Sequence, residues 1–358
     1  MRSISSRTLF SIAVALILAA LPASAAIPVQ DAASPDEISA SRKSWERIPV
    51  PGAKCGDGGE YSIFVRKGIQ DKVALAFMGG GACWSESTCM GVEIKTFLPL
   101  VPFVPIAGGF VSNDPKVSPV AGWSTVFFPY CTGDLFVSDH IARYGKHEVH
   151  HVGRSNVARS LELLLERKLL DFNGATDLVV WGPSAGALAA LFHAQALDQA
   201  FPNAQRKSLI ADAPGLHFGD GVWSQFTPQQ IEDFSAGLAR AGIPFDPSRG
   251  VIADIVPGLC RALPHWSVGV MQGSKDFVMS RMFGKISMRE HARLIHSDEG
   301  VLALTDDPSD LCRAWVAETP IHTFLPTSAV LGVEAGGVSA KEFLWQVVER
   351  RGGSNLQD

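Results

Sequence analysis

The apolar residues of this 358-residue chain come in short unbroken runs, separated by segments whose apolar positions recur every three or four residues. Lys72–Met78 (KVALAFM), Leu178–Trp181 and Trp266–Gln272 (WSVGVMQ) are runs of strand length with little polar face, as expected of strands covered on both sides. Ser124–Tyr130 (STVFFPY) and Ser208–Ala211 add two more, and Tyr61–Arg66 alternates apolar with polar residues. Between these runs, Val157, Leu161, Leu164 and Leu165 mark one face of a helix over Ser155–Leu170, and Ala185–Ala196 predicts a second. Helical spacing returns at Pro228–Ala241, a strand is expected around Ile321–Leu325, and a last helix starts at Ser339 with a capping box completed by Glu342. Strands alternating with helices predict an α/β fold: a mostly parallel central sheet with helices on both faces, whose sites lie at the carboxyl ends of the strands. Two stretches break the pattern. Residues 214–264 are irregular apart from Pro228–Ala241 and read as an insertion over the active end of the sheet. Thr96–Ile106 (TFLPLVPFVPI) is apolar, but Pro99, Pro102 and Pro105 exclude a regular helix or central strand, which leaves a buried loop or an apolar lining near a site.

The amino terminus sets the compartment. Arg2 and Arg7, an apolar run from Leu9 to Leu21, and Ala23-Ser24-Ala25-Ala26 make residues 1–26 a secretory signal peptide. That run is too short to span a bilayer comfortably and no later one is long enough, so the mature chain is expected to be secreted or periplasmic with no membrane span. Loss of the two arginines takes the formal net charge from −5 to −7, and a mildly acidic chain without basic runs argues against nucleic acid as a partner. Residues 27–55 read as a loosely ordered lead-in. Residues 56–358 read as one domain, since no Ser/Gly/Pro linker divides them. Cys55, Cys83, Cys89, Cys131, Cys260 and Cys312 all lie in the mature part, an even count suited to an oxidising compartment. Sequence alone does not select a pairing; the expected one is Cys83–Cys89, Cys55–Cys131 and Cys260–Cys312.

The candidate chemistry centres on Gly182-Pro183-Ser184-Ala185-Gly186, between a buried strand and a helix. A tight strand-to-helix turn forces its serine into sparsely populated backbone geometry, and glycines two residues to either side let other chain pass close by. A serine hydroxyl becomes a useful nucleophile only when a histidine removes its proton and a carboxylate orients that histidine. With the order Ser…Asp…His, His140, His147, His150 and His151 precede Ser184 and are excluded as the base. Asp276 and Asp212, both following strands, are the candidate acids, with Asp276 on the later strand. His322, late in the chain and in an apolar segment, is the expected base over His265, His291 and His296; the last two are expected to be solvated. Gly79-Gly80-Gly81 follows a central strand, where freely oriented backbone N–H groups suit an oxyanion site. The competing motif His147-Glu148-Val149-His150-His151 matches H-E-x-x-H, but zinc binding needs it on a helix, and Gly145 and Gly153 bracket it without an amphipathic run.

Taken together, Gly79-Gly80-Gly81-Ala82-Cys83-Trp84 with Cys89, Pro129-Tyr130-Cys131-Thr132-Gly133-Asp134, His150-His151 with Gly153 and Asn156, and the Ser184 pentapeptide resemble the pectin acetylesterase family, which includes the Notum carboxylesterases. The likeness extends more weakly through Asp276 and His322-Thr323. It implies an α/β-hydrolase-like fold and cleavage of carboxylic esters without cofactor or metal. Residue by residue it implies the triad Ser184, Asp276 and His322, backbone oxyanion donors at Gly80, Gly81 and Ala185, and a Cys83–Cys89 disulfide. Ala187 stands where many members have a further glycine, Gly81-Ala82 replaces an aromatic pair of the Notum branch, and residues 214–264 show no alignable motif. The ester is left open between acetyl groups on a polysaccharide, with Trp84 as a sugar-stacking surface, and longer acyl chains lined by Phe97, Leu98, Phe103 and Val104. A catalytically silent hydrolase-like binding protein is the alternative of another class.

Overall fold

The computed structural model describes residues 44–90, 97, 109–240, 242–306 and 311–358. The signal peptide, most of the lead-in and all of Thr96–Ile106 except Phe97 lie outside the described residues. Nine described strands form one sheet in the order β1 (Glu46–Lys54), β2 (Glu60–Arg66), β4 (Trp123–Phe128), β3 (Ile69–Phe77), β7 (Asp177–Pro183), β8 (Arg206–Asp212), β9 (Trp266–Gly273), β10 (Cys312–Ala317) and β13 (Leu356–Gln357). From β4 to β13 every neighbouring pair is parallel, whereas β1 and β2 add an antiparallel edge. Glu46–Lys54 is therefore a strand and not part of a loose lead-in.

The side-chain alternation of β3 shows why its run is apolar throughout. Val73, Leu75 and Phe77 enter the core on one face of the sheet, Ala74 and Ala76 that on the other. The first core takes helices Gly153–Glu166, Ala185–Ala200 and Ile255–Ala262; the second is closed by Ala340–Val348, capped by the Ser339 hydroxyl accepting from the Glu342 N–H. All three expected disulfides are formed: Cys55–Cys131, Cys83–Cys89 and Cys260–Cys312. Among the described residues no helix is long and apolar enough to cross a membrane.

Two sequence expectations are corrected. On helix Gly153–Glu166, Val157 and Leu164 are buried but Leu165 is 57% exposed. Polar anchoring sets the helix rotation. Asn156 exchanges hydrogen bonds with the Lys54 backbone at 3.1 and 2.7 Å, and a Cβ on Gly153 would lie 2.5 Å from Asp134 Oδ1. The late strand is Cys312–Ala317, and Ile321–Leu325 is irregular, because the N–H groups of Phe324 and Leu325 are taken by the Asp212 carboxylate instead of a neighbouring strand.

The two leucine environments give a stability test. Leu209→Ala, at a fully buried β8 position, is expected to lower unfolding free energy by about 2–5 kcal/mol. Leu165→Ala is expected to stay within about 0.5 kcal/mol. Urea denaturation midpoints at unchanged slope measure both.

Candidate active site

β7 ends at Pro183 and the next helix begins at Ala185, so Ser184 alone makes the turn. Its backbone sits at φ 55, ψ −122, a conformation that costs a non-glycine residue about 1–3 kcal/mol and persists only where surrounding structure enforces it. The enforcement is visible in the glycines. A Cβ on Gly182 would lie 2.3 Å from the Gly186 carbonyl oxygen, and one on Gly186 would lie 2.2 Å from the carbonyl oxygen of Phe77, the last residue of β3. Gly79 is held as closely, since its Cβ would lie 2.6 Å from the Pro183 oxygen and 3.4 Å from Ser184 Cβ. The pentapeptide and the glycine loop therefore meet backbone to backbone. Gly81, Ser184 and Ala185 line one cavity; Gly80 lies between Gly79 and Gly81 in the same loop.

The later strands bring in the other groups. Asp276 follows β9 and is fully buried. Its Oδ2 lies 2.8 Å from His322 Nδ1 and accepts from Gln272 Nε2 at 3.0 Å, while Oδ1 accepts from the Met279 N–H at 2.9 Å. With Nδ1–H donated to the carboxylate, His322 keeps Nε2 free to take a proton. Burial pushes the His322 imidazole down, but the charge of Asp276, its hydrogen bond and the more remote Asp212 outweigh that and leave it raised. Ser184 Oγ and His322 are not hydrogen-bonded in this structure; catalytic hydrogen bonds commonly tighten only when substrate is bound. Asp212, the other candidate acid, accepts no bond from His322. Its Oδ2 receives the Phe324 and Leu325 N–H groups at 2.7 and 2.8 Å, and burial pushes its carboxyl up to about 7.

The remaining histidines have other tasks. His265 pairs with Asp198 at 2.8 Å. His291, expected to be solvated, is fully buried and donates from Nδ1 to the Ser274 carbonyl. The H-E-x-x-H stretch is the strand β6 (His147–His151), antiparallel to β5 (His140–Tyr144), so the helical ligand spacing does not exist. Cys83, Cys89 and His151 are near enough to share a metal, but both sulfurs are spent in a disulfide.

The segment between β8 and helix Ile255–Ala262 supplies what sequence reading missed. Its Phe218, Val222, Trp223 and Phe226 join Leu135, Leu188 and Met279 around a small, partly open apolar cavity with Ser184 on the wall. Trp223, Phe234 and Phe245 pack against one another, tilted or edge-on, with centroids 4.7–5.3 Å apart, so the wall is backed by an aromatic cluster. The signal was the density of aromatic residues over 218–245. Of the expected acyl lining, Phe97 pairs with Gly81 in an isolated β-bridge and packs edge-on against Tyr130, and Leu98, Phe103 and Val104 lie outside the described residues. Trp84 is half-buried, and its ring leans on Phe226 with centroids 4.8 Å apart, behind the cavity wall.

A largely parallel sheet with a strained serine after a central strand and a His–Asp pair on later strand ends defines an α/β-hydrolase-like protein. Comparison with known proteins agrees. Residues 46–220 match the family model described as pectinacetylesterase. Pectin acetylesterase 11 of Arabidopsis thaliana is 26% identical over 177 residues, 47% of this chain and 44% of that protein, so the chain spans under half the length of this curated relative. The solved structure of the Wnt deacylase Notum from Drosophila superposes with a TM-score of 0.61 at 16% identity, over 88% of this chain and 96% of that one, which is a likeness of fold. Residues 46–220 are thus similar to the pectin acetylesterase family, and the chain as a whole shares its fold with Notum.

The close packing at the turn is directly testable. Gly186→Ala must push its Cβ into the Phe77 carbonyl, and is expected to cost about 1–3 kcal/mol in chemical denaturation while slowing fluorophosphonate labelling of Ser184. Wild-type stability together with wild-type labelling would show that the turn does not depend on this contact.

Proposed function

We propose that this chain is an exported carboxylic-ester hydrolase in which Ser184 is the nucleophile, His322 the general base and Asp276 its orienting acid. The observation that carries the reading is the 2.8 Å bond from His322 Nδ1 to a fully buried Asp276, held at the strand ends where the strained Ser184 turn also lies. Ser184 Oγ attacks the ester carbonyl as His322 Nε2 takes its proton. The tetrahedral oxyanion is stabilised by backbone N–H groups at Gly80, Gly81 and Ala185. Collapse breaks the bond to the alcohol oxygen, which leaves with the proton from His322, and water repeats the cycle to release the acid. Export is supported by residues 1–26 and by three disulfides.

Within that chemistry, the apolar cavity beside Ser184 favours an acyl chain longer than acetyl. Phe218, Trp223, Phe226 and Met279 give that cavity an apolar lining, and each further methylene buried against it gains about 0.8 kcal/mol. An acylated polysaccharide is compatible with this site only if its acyl group reaches into that cavity.

Four measurements check the reading. A fluorophosphonate is expected to label the folded protein and not Ser184→Ala, and no labelling would leave a silent hydrolase-like protein as the better account. Ser184→Ala and His322→Ala are each expected to lower kcat by about 10⁴-fold or more. Across p-nitrophenyl esters kcat/KM is expected to peak beyond acetate; a peak at acetate sinks the longer-acyl reading. In pH, the working form is neutral His322, whose raised pKa means that activity is lost as pH falls through a value above that of an ordinary histidine. Asp276→Asn removes the largest raising charge and is expected to move that acid limb to lower pH.

A further inference from the structure

Asp212 has no part in the reaction as derived so far, yet it touches both halves of the site. Its backbone carbonyl accepts the Ser184 N–H at 2.7 Å, directly at the strained turn. One carboxylate oxygen, Oδ2, accepts the N–H groups of both Phe324 and Leu325, two and three residues beyond His322. The residue is fully buried, and its other carboxylate oxygen has no hydrogen-bond partner among the described residues. Next to it, Ala213 is held at φ 54 and donates to the Met271 carbonyl at 2.8 Å, which fixes Asp212 against β9, the strand that leads to Asp276.

We propose that Asp212 is a positioning residue of the ester-cleaving triad: it spans from the Ser184 turn to the His322 loop and holds base and nucleophile in mutual register. This rests on the assignment of Ser184 and His322 given above. A carboxylate is not the cheapest way to end a buried strand, because one of its oxygens is left unpaired away from water. What it supplies is a single atom that accepts two successive N–H groups and so stops the 322–325 segment from pairing with a strand or sliding along the sheet. Without that anchor the His322 loop keeps the bonds at the Thr319, Pro320 and Leu325 carbonyls and the His322–Asp276 bond, none of which reaches the Ser184 turn. An error of about 1 Å in the distance from the imidazole to Ser184 Oγ can cost about 10²-fold in rate.

The charge of Asp212 bears on the same base. The titratable groups acting on Asp212 are His322 and Asp276; those acting on His322 are Asp276 and Asp212, and the buried His291 feels both Asp276 and His322. With its carboxyl pushed up to about 7 by burial, Asp212 is only partly ionised where His322 titrates, so its removal is expected to shift the acid limb of kcat/KM little and to act through position.

The test uses Asp212→Ala and Asp212→Asn in the full chain, with kcat and KM on p-nitrophenyl butyrate, thermal midpoints and pH profiles. Ser184→Ala is the control for the underlying assignment: if it retains hydrolysis, assignment and proposal fall together. With Ser184→Ala inactive, folded Asp212→Ala is expected to lose about 10²-fold in kcat with KM changed by no more than about threefold, and Asp212→Asn, which keeps an acceptor oxygen, is expected to recover most of that loss. Folded Asp212→Ala with near wild-type kcat, or an asparagine variant no better than the alanine one, overturns the positioning role while leaving the triad intact. Should Asp212→Ala not fold, Asp212→Ser, whose hydroxyl is too short to reach both N–H groups, takes its place: a folded variant with kcat lowered about 10²-fold at unchanged KM supports the proposal, and near wild-type kcat overturns it.

Discussion

The close approach of β3 to the first turn of helix Ala185–Ala200 is the contact on which the active end of this molecule depends. Gly186 lies so near the Phe77 carbonyl that no side chain fits between them, and Gly79, two residues past Phe77, lies equally near Pro183. Backbone packing of this kind is less adjustable than side-chain packing, because no rotamer change can relieve it. It holds Ser184 at positive φ, where it would otherwise relax, and lays the glycine loop against that residue. The strain at one residue is small beside the burial of β3, β7 and β8 on both faces, so the fold can carry it.

Two layers of construction are separable above that contact. The sheet ends supply the polar groups, each satisfied by short local bonds: Asp276 by Gln272, Met279 and His322, and Asp212 by two backbone N–H groups. The irregular chain after β8 supplies the apolar walls through Phe218, Trp223 and Phe226. The division follows from what each kind of chain does well. Buried strands fix directions to a fraction of an ångström, whereas a loop-rich insertion can be reshaped without disturbing them.

The sheet was legible in the sequence because its strands are buried on both faces and so appear as apolar runs, and because Gly-x-Ser-x-Gly and the glycine loop announce backbone contacts that need glycine. Asp276 and His322 were legible as candidates from chain order alone, and the structure sets them 2.8 Å apart. What was not legible depended on tertiary partners. The rotation of helix Gly153–Glu166 follows from Asn156 bonding Lys54, a residue 102 positions away, which no periodicity can reveal. Ile321–Leu325 looks like a strand because it is apolar, and it is not one because a distant carboxylate takes its N–H groups. The cavity was invisible for the same reason: aromatic residues spread over 218–245 have no helix or strand period and converge only when the insertion folds over β8.

The insertion is not independent of the glycine loop, however. Gln230, on helix Pro228–Arg240, donates from its buried side chain to the Cys83 carbonyl at 2.8 Å, while Cys83 N–H is bound by Gly133 and its sulfur by Cys89. The chain just after Gly79-Gly80-Gly81 is thus fixed from three directions, one of them the element that carries the aromatic cluster behind the cavity. A group filling the cavity presses on Trp223 and Phe226, which pack through Phe234 onto the helix that holds Gln230. Cavity and glycine loop share one rigid frame, so the shape of the apolar pocket and the placement of the backbone N–H groups beside Ser184 are set together. Under the proposed reading, specificity for the acyl chain and stabilisation of charge at its carbonyl follow from the same packing.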